Sequence, residues 1–174
     1  MLASVAGEKA TRNHLPWYVY YTANPYFYNN SFKFSFVRNP WDRAVSAYRY
    51  LESGGNKTSD LDASKMLSKY NDFDDFVING LGEGLFRNHL LFLPQSEFVV
   101  NGEQELAVDF VGRFENIDQD FTIVLERLGI GSSLAKTNVS DRSRDYRSYY
   151  KKEKTVDIIL NIYKQDVSFF SYEF

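Results

Sequence analysis

The chain has no cysteine among its 174 residues. That excludes disulfides, thiolate nucleophiles and cysteine-held metals. Lumenal and secreted domains commonly rely on disulfides, so the absence favours a cytoplasmic home of the bacterial type over the Golgi lumen. A cationic excess is also missing. Lys and Arg number 20 against 23 Asp and Glu, a net charge of −3, which leaves no overall basic footprint for nucleic acid. No apolar run is long enough to span a bilayer, and residues 1–6 are too short for the apolar core of a signal peptide. Histidine is scarce, so imidazole chemistry can come only from His14 or His89. No internal repeat, low-complexity segment or linker divides the sequence, and the expectation is one domain over residues 1–174.

Aromatic residues are what the chain has in quantity. With 15 Phe and 13 Tyr in a composition that is 44% hydrophobic, it can bury a substantial core and is not a disordered chain. The most informative stretch is FKFSFVRNPWDRAVSAYRYL, residues 32–51. Phe32, Phe34 and Phe36 alternate with Lys33 and Ser35, which predicts a strand buried on at least one face. Asn39 can cap a helix, Pro40 suits its first position, and Asp42 complements the positive end of its dipole. Trp41, Ala44, Val45 and Tyr48 then recur at helical spacing. A strand end bearing Arg38 that feeds a capped helix is a natural anion site, through helix N-terminal amides and a guanidinium fork. An ordinary strand–helix joint with Arg38 paired to an acid fits the spacing equally well.

Elsewhere the pattern is helical, with interruptions. The aromatic piece from Tyr18 to Tyr28, broken at Asn24-Pro25, is expected to pack against the sheet. A weak helix is expected over residues 60–70. A short one follows in NDFDDFVING, with Asn71 as cap and Gly80 as stop. Asp72, Asp74 and Asp75 read as a solvated first turn, since no other ligand type joins them for a metal. Residues 97–100 read as a short strand, and residues 108–114 alternate as another. Asn116 with Gln119 three positions on reads as a capping box for a helix ending at Gly129. Residues 131–150 form a long polar loop with Lys136, Arg142, Arg144 and Arg147, and Val156, Ile159, Leu160 and Tyr163 mark a last helix.

RNPWDRAVSAYRYL resembles the 3′-phosphate-binding motif of sulfotransferases, in the carbohydrate-sulfotransferase branch. Further along, His89 with Pro94 and Gln95 is similar to a His–Pro region followed by Gln in that family. So are VDFVGRFENIDQDF at residues 108–121, an Asn-x-Ser loop at Asn138 and Ser140, the pair Tyr149-Tyr150, and Asp166 before the terminal Phe-x-Tyr-x-Phe. The resemblance covers most of the chain after residue 30. One element of the family pattern is not found. The strand and glycine loop, usually with a lysine, that bind the 5′-phosphosulfate have no counterpart in Gly7-Glu8-Lys9. The expectation is therefore a chain that begins after that element.

The resemblance implies an α/β fold of the P-loop-like kind, a central parallel sheet flanked by helices and N-terminally incomplete, with the donor at the carboxyl ends of the strands. It implies a sulfotransferase that moves a sulfuryl group from 3′-phosphoadenosine 5′-phosphosulfate to a hydroxyl, with a glycan as acceptor and no metal. Arg38 and Ser46 would hold the donor's 3′-phosphate, with Ser140 also on the donor. Arg87, His89 and Gln95 would face the acceptor. His14 would be the base, because related heparan-type enzymes place a catalytic histidine upstream of the donor-binding strand. Structural roles for each remain open at this point. A non-catalytic sulfotransferase-like module binding an anionic ligand or a partner is the alternative.

Overall fold

The computed structural model describes residues 14–56, 58–131 and 145–174. In chain order the regular elements are α1 (Trp17–Ala23), α2 (Pro25–Asn29), β1 (Phe34–Val37), α3 (Pro40–Glu52), α4 (Leu61–Leu67), α5 (Phe73–Phe76), α6 (Ser96–Val99), β2 (Phe110–Arg113), α7 (Ile117–Leu128), α8 (Glu153–Ile162) and α9 (Lys164–Phe170). Short 3-10 turns and one π-helical turn, Val77–Leu81, connect them. This is a mixed α/β protein with a small parallel sheet and several helices. The described residues fall into two compact units. One joins the residues up to Arg38 with those from Gln95 onward to Gly131. The other joins Asn39–Pro94 with Asp145–Phe174.

In the first unit β1 pairs in parallel with β2, with Phe34 opposite Phe110 and Val37 opposite Arg113. Parallel pairing requires a long crossover, and residues 38–109 supply it. The alternation Phe34–Phe36 puts both rings on one side, where Phe36 meets Phe121 of α7 with centroids 6.1 Å apart. Gly112 lies opposite Phe36, and a Cβ there would collide with the Phe36 ring and come within 3.0 Å of the Asp120 Cβ. The start of the sheet is clamped by Asp109, whose carboxylate accepts from the Lys33 backbone N–H at 2.7 Å and pairs with Lys33 Nζ at 2.8 Å. Burial alone would raise the Asp109 pKa. The hydrogen bonds and charge of Lys33 outweigh it and hold the carboxyl below the ordinary carboxylate range.

Residues 96–99 form α6 instead of a strand; only Val100, in an isolated antiparallel bridge with Leu106, keeps β pairing. Asn116 makes no side-chain cap bond, because a 3-10 turn, Phe114–Asn116, precedes α7 and reorients the cap position. Gly129, with φ 66°, does end α7 in the left-handed conformation. The aromatic piece 18–28 forms α1 and α2 and is largely exposed. Trp17 and Tyr28 are the residues that anchor it. The Trp17 indole N–H donates to the Val100 carbonyl at 3.0 Å, and the Tyr28 hydroxyl donates to the Ala107 carbonyl. Tyr26 remains 80% exposed.

The second unit is built on α3. Its buried stripe of Trp41, Ala44, Val45, Tyr48 and Leu51 follows the helical spacing read from the sequence. Tyr48 meets Phe73 and Phe76 with centroids 5.3 and 5.5 Å apart, and Phe76 continues the cluster to Phe86 and Phe92. Each fully buried phenylalanine contributes about 1.5–3 kcal/mol of transfer free energy, so this aromatic core is the unit's main support. Two long-range bonds tie α8 and the turn before it to α3. The Trp41 indole donates to the Val156 carbonyl at 3.1 Å, and the Tyr150 hydroxyl donates to the Trp41 carbonyl at 2.8 Å.

The cap of α5 is Asp72, which accepts from the Asp75 N–H, instead of Asn71. Gly80 does not stop the helix, because the chain passes from α into a π turn that runs to Leu81. Asp74 is buried at 1% exposure instead of solvated.

Candidate functional site

Arg38 and Gln95 belong to the unit of β1, and Asn39, Arg43 and Ser46 to the unit of α3. Arg38 follows the last residue of β1, at the carboxyl end of the sheet. Its backbone is fixed by one side chain. The Gln95 amide accepts from the Arg38 N–H at 2.9 Å and donates to the Arg38 carbonyl at 2.8 Å. The Arg38 guanidinium lies over the Phe114 ring, 4.3 Å from its centroid. Phe114 is the next residue after Arg113, and Arg113 is the partner of Val37, so the sheet register itself brings Phe114 beside Arg38. Sequence reading did not select Phe114. The register was the signal, and it is visible only once β1 and β2 are paired.

Asn39 opens the second unit and caps α3. Its side-chain oxygen accepts from the Trp41 and Asp42 N–H groups at 3.0 and 3.4 Å, and its amide donates to the Glu173 carbonyl at 2.7 Å. Pro40 has no N–H, and the Arg43 N–H bonds to the Asn39 carbonyl at 2.8 Å. The first-turn donors of α3 are therefore committed within the protein. This corrects the expectation that helix N-terminal amides would cradle an anion here. Any anion held by this segment must be held by side chains.

Ser46 offers one. It sits two turns into α3, half-buried, and its hydroxyl has no hydrogen-bond partner among the described residues. Arg43 is committed, its guanidinium donating to the Leu93 carbonyl at 2.6 Å. Tyr150, close to α3, stays a phenol. Burial first, then the charges of Tyr163, Tyr146, Asp42 and Asp74, push its pKa far above the ordinary tyrosine value. Tyr163 is pushed up to about 12, chiefly by burial, and donates to the Phe92 carbonyl at 2.8 Å. Neither phenol can serve as a base near neutrality.

The other expected site residues lie as follows. His14 is exposed, in the coil before α1. Ser140, with Asn138 and Arg142, lies outside the described residues. Gln95 holds the Arg38 main chain with both ends of its amide, accepting from the N–H and donating to the carbonyl. His89 caps a 3-10 turn. Its Nδ1 accepts from the Leu91 N–H at 3.3 Å and its Nε2 lies 3.8 Å from an Asp60 carboxylate oxygen, so both ring nitrogens face protein groups. Arg87 donates from Nε to the Leu81 carbonyl at 3.2 Å and from Nη2 to the Gly82 carbonyl at 2.7 Å. Among the described residues no three His, Asp or Glu side chains are grouped to hold a metal ion.

The chain belongs to the Sulfotransferase family, whose profile matches residues 8–173. It is similar to human carbohydrate sulfotransferase 9, with 28% identity over 169 residues that cover 83% of this chain and 38% of that protein. The chain thus spans well under half the length of that curated relative. No solved structure matches the chain.

Proposed function

We propose that this chain is the 3′-phosphate-gripping part of a sulfotransferase that uses 3′-phosphoadenosine 5′-phosphosulfate and transfers its sulfuryl group to a hydroxyl of a glycan. Family membership supports the transfer chemistry, and the relative's name supports a carbohydrate acceptor. The observation that carries the reading is local. The Ser46 hydroxyl in α3 has no hydrogen-bond partner among the described residues, and Arg38 follows β1 with its main chain clamped by Gln95. A phosphate takes charge from a guanidinium and a hydrogen bond from a hydroxyl, and those are the two groups that the motif supplies.

The donor brings a sulfuryl group already bonded to a good leaving phosphate. The acceptor oxygen bonds to sulfur as the bond from sulfur to the 5′-phosphate oxygen breaks, in line. The hydroxyl proton passes to a base, and we assign that role to His14. The protein's contribution is to hold the donor's 3′ end so that the sulfur is presented at a fixed distance. A P-loop-like frame and a cytoplasmic location belong to the same proposal.

The test is titration calorimetry of the chain with 3′-phosphoadenosine 5′-phosphate, beside Arg38→Ala and Ser46→Ala. Arg38→Ala is expected to weaken binding by about a hundredfold and Ser46→Ala by about tenfold, the loss of an ion-paired guanidinium contact and of a single hydroxyl hydrogen bond to the phosphate respectively. Equal binding by all three proteins, or by none, refutes the assignment. A transfer rate in His14→Ala close to that of the parent removes His14 as the base.

A further inference from the structure

Phe114 lies in the same unit as Arg38 and is a ring that the fold does not bury. It is 45% exposed, so core packing uses only part of its surface. Its face meets the Arg38 guanidinium, 4.3 Å from the ring centroid. The main chain holds Phe114 from both sides. Before it, Arg113 pairs with Val37 across the sheet, and its N–H donates to an Asp120 carboxylate oxygen. After it, the 3-10 turn Phe114–Asn116 leads into α7, with the Ile117 N–H donating to the Phe114 carbonyl. The ring thus projects from a rigid joint between a strand and a helix.

Arg38 is consequently held at both ends. Gln95 fixes its main chain, and the Phe114 ring lies against its guanidinium. Between the two runs a long, flexible stem. A side chain that is ordered only when its ligand arrives costs affinity, and one ordered beforehand does not. The kind of contact matters as well. An aromatic ring holds a cation through its quadrupole and leaves the full positive charge in place for an anion. The guanidinium donors lie in one plane, so the orientation of that plane decides which oxygens they can reach.

We propose that Phe114 is a positioning residue for the donor's 3′-phosphate, acting through Arg38 and not by touching the donor. It holds the guanidinium in the orientation that meets the phosphate. The inference rests on the reading that Arg38 grips that phosphate. It also separates cleanly from two other roles for the ring. A contact that only stabilised the unit would favour no ligand. A ring stacked on the nucleotide base would favour every adenine nucleotide alike. A ring acting through Arg38 favours only a ligand that carries the 3′-phosphate.

The test is calorimetric titration of the full chain with 3′-phosphoadenosine 5′-phosphate and with adenosine 5′-phosphate, which lacks the 3′-phosphate. The proteins are the parent, Phe114→Leu, Arg38→Ala and the double variant. Leucine keeps an apolar side chain and removes the ring face. Phe114→Leu is expected to weaken binding of the 3′-phosphorylated nucleotide by about three- to tenfold and to leave adenosine 5′-phosphate unchanged. In the Arg38→Ala background the same substitution should have no further effect, because the two residues act as one unit. Phe114→Tyr and Phe114→Trp keep a ring face and should bind within about twofold of the parent. Thermal unfolding checks each variant, and Phe114→Met is the second ring-free variant should leucine disturb the turn. The proposal is overturned if Phe114→Leu binds as the parent does, if it weakens both nucleotides equally, or if it costs the same factor again once Arg38 is gone. Failure of the underlying reading looks different. If Arg38→Ala binds the 3′-phosphorylated nucleotide as the parent does, or no protein binds it, the donor site falls and Phe114's role with it. If Arg38→Ala binds weakly and Phe114→Leu normally, only the role of Phe114 falls.

Discussion

Replacing Gln95 separates a positioning role from an acceptor contact. In Gln95→Ala the Arg38 N–H and carbonyl each lose a side-chain partner, at 2.9 and 2.8 Å in the parent. A net hydrogen bond contributes about 1 kcal/mol, so two give about 2 kcal/mol of lost stability, toward the lower end because both groups are only part-buried. For a chain of this size that is a fall in Tm of about 4–8 °C. Gln95→Glu keeps the acceptor for the N–H but sets a carboxylate oxygen against the Arg38 carbonyl, so it should be no better than alanine. Urea unfolding followed by circular dichroism measures the stability, and the m-value should not move, because no surface is newly exposed in the folded state. The same variants should bind 3′-phosphoadenosine 5′-phosphate more weakly, because the main chain that aims Arg38 is released. The reasoning is refuted if Gln95→Ala keeps the parent's stability to within about 0.5 kcal/mol. It is also refuted if the variant raises KM for an acceptor while stability and donor binding stay unchanged, since that is the signature of an acceptor contact.

Further outcomes are expected. Gly112→Ala should cost about 1–3 kcal/mol by urea unfolding, because its Cβ must displace the Phe36 ring from the sheet face, and Gly112→Val should cost more. Asn39→Ala removes the cap of α3 and the bond to the Glu173 carbonyl and should cost about 1–2 kcal/mol, whereas Asn39→Asp retains the cap. Acid stability should fall below about pH 4. Asp72, held down chiefly by the Asp75 N–H, and Asp109, held down by Lys33, have folded pKa values below their unfolded ones, so their contribution is present above the unfolded value and lost as pH falls. Asp72→Asn should flatten that slope in pH-dependent urea titrations, and an unchanged slope would remove Asp72 from the account. At the alkaline end Tyr163 is raised from 10.0 to about 12, so its contribution is complete below 10.0 and lost as pH rises toward 12; Tyr163→Phe should reduce that loss.

Much of the chain was legible because its signals are short-range. The stripe of α3 lies one helical turn apart along the sequence, and Pro40, Asn39 and Asp42 mark where the helix starts. β1 and β2 show as alternation, and Gly129 as a stop. The errors fall where a neighbour outside the local window decides. Residues 97–100 read as a strand, but Ser96–Val99 turn as a helix after Pro94-Gln95, leaving Val100 alone of the four to pair, with Leu106. Asn71 and Asp72 are both acceptable caps by type, and backbone geometry chose the second.

The candidate site divides in the same way. Arg38 and Ser46 were singled out by the likeness of one short stretch to a family motif, and the match over residues 8–173 shows the family. The resemblance set Gln95 toward the acceptor, and its bond to Arg38, which crosses 57 positions, shows only in space. The π turn whose last carbonyls Arg87 holds was not legible, because no composition or period announces it.

By itself, then, the sequence determined the family and the strand–turn–helix that bears Arg38 and Ser46. It also determined the exclusion of thiol chemistry, because these follow from residue type and from spacings of a few positions. The tertiary structure decided that the α3 amides are taken by Asn39, that Gln95 clamps the strand end, and that Phe114 underlies Arg38. Hydrogen bonds and ring contacts depend on distance in space, and pairing across a parallel sheet places residues far apart in the chain at that distance.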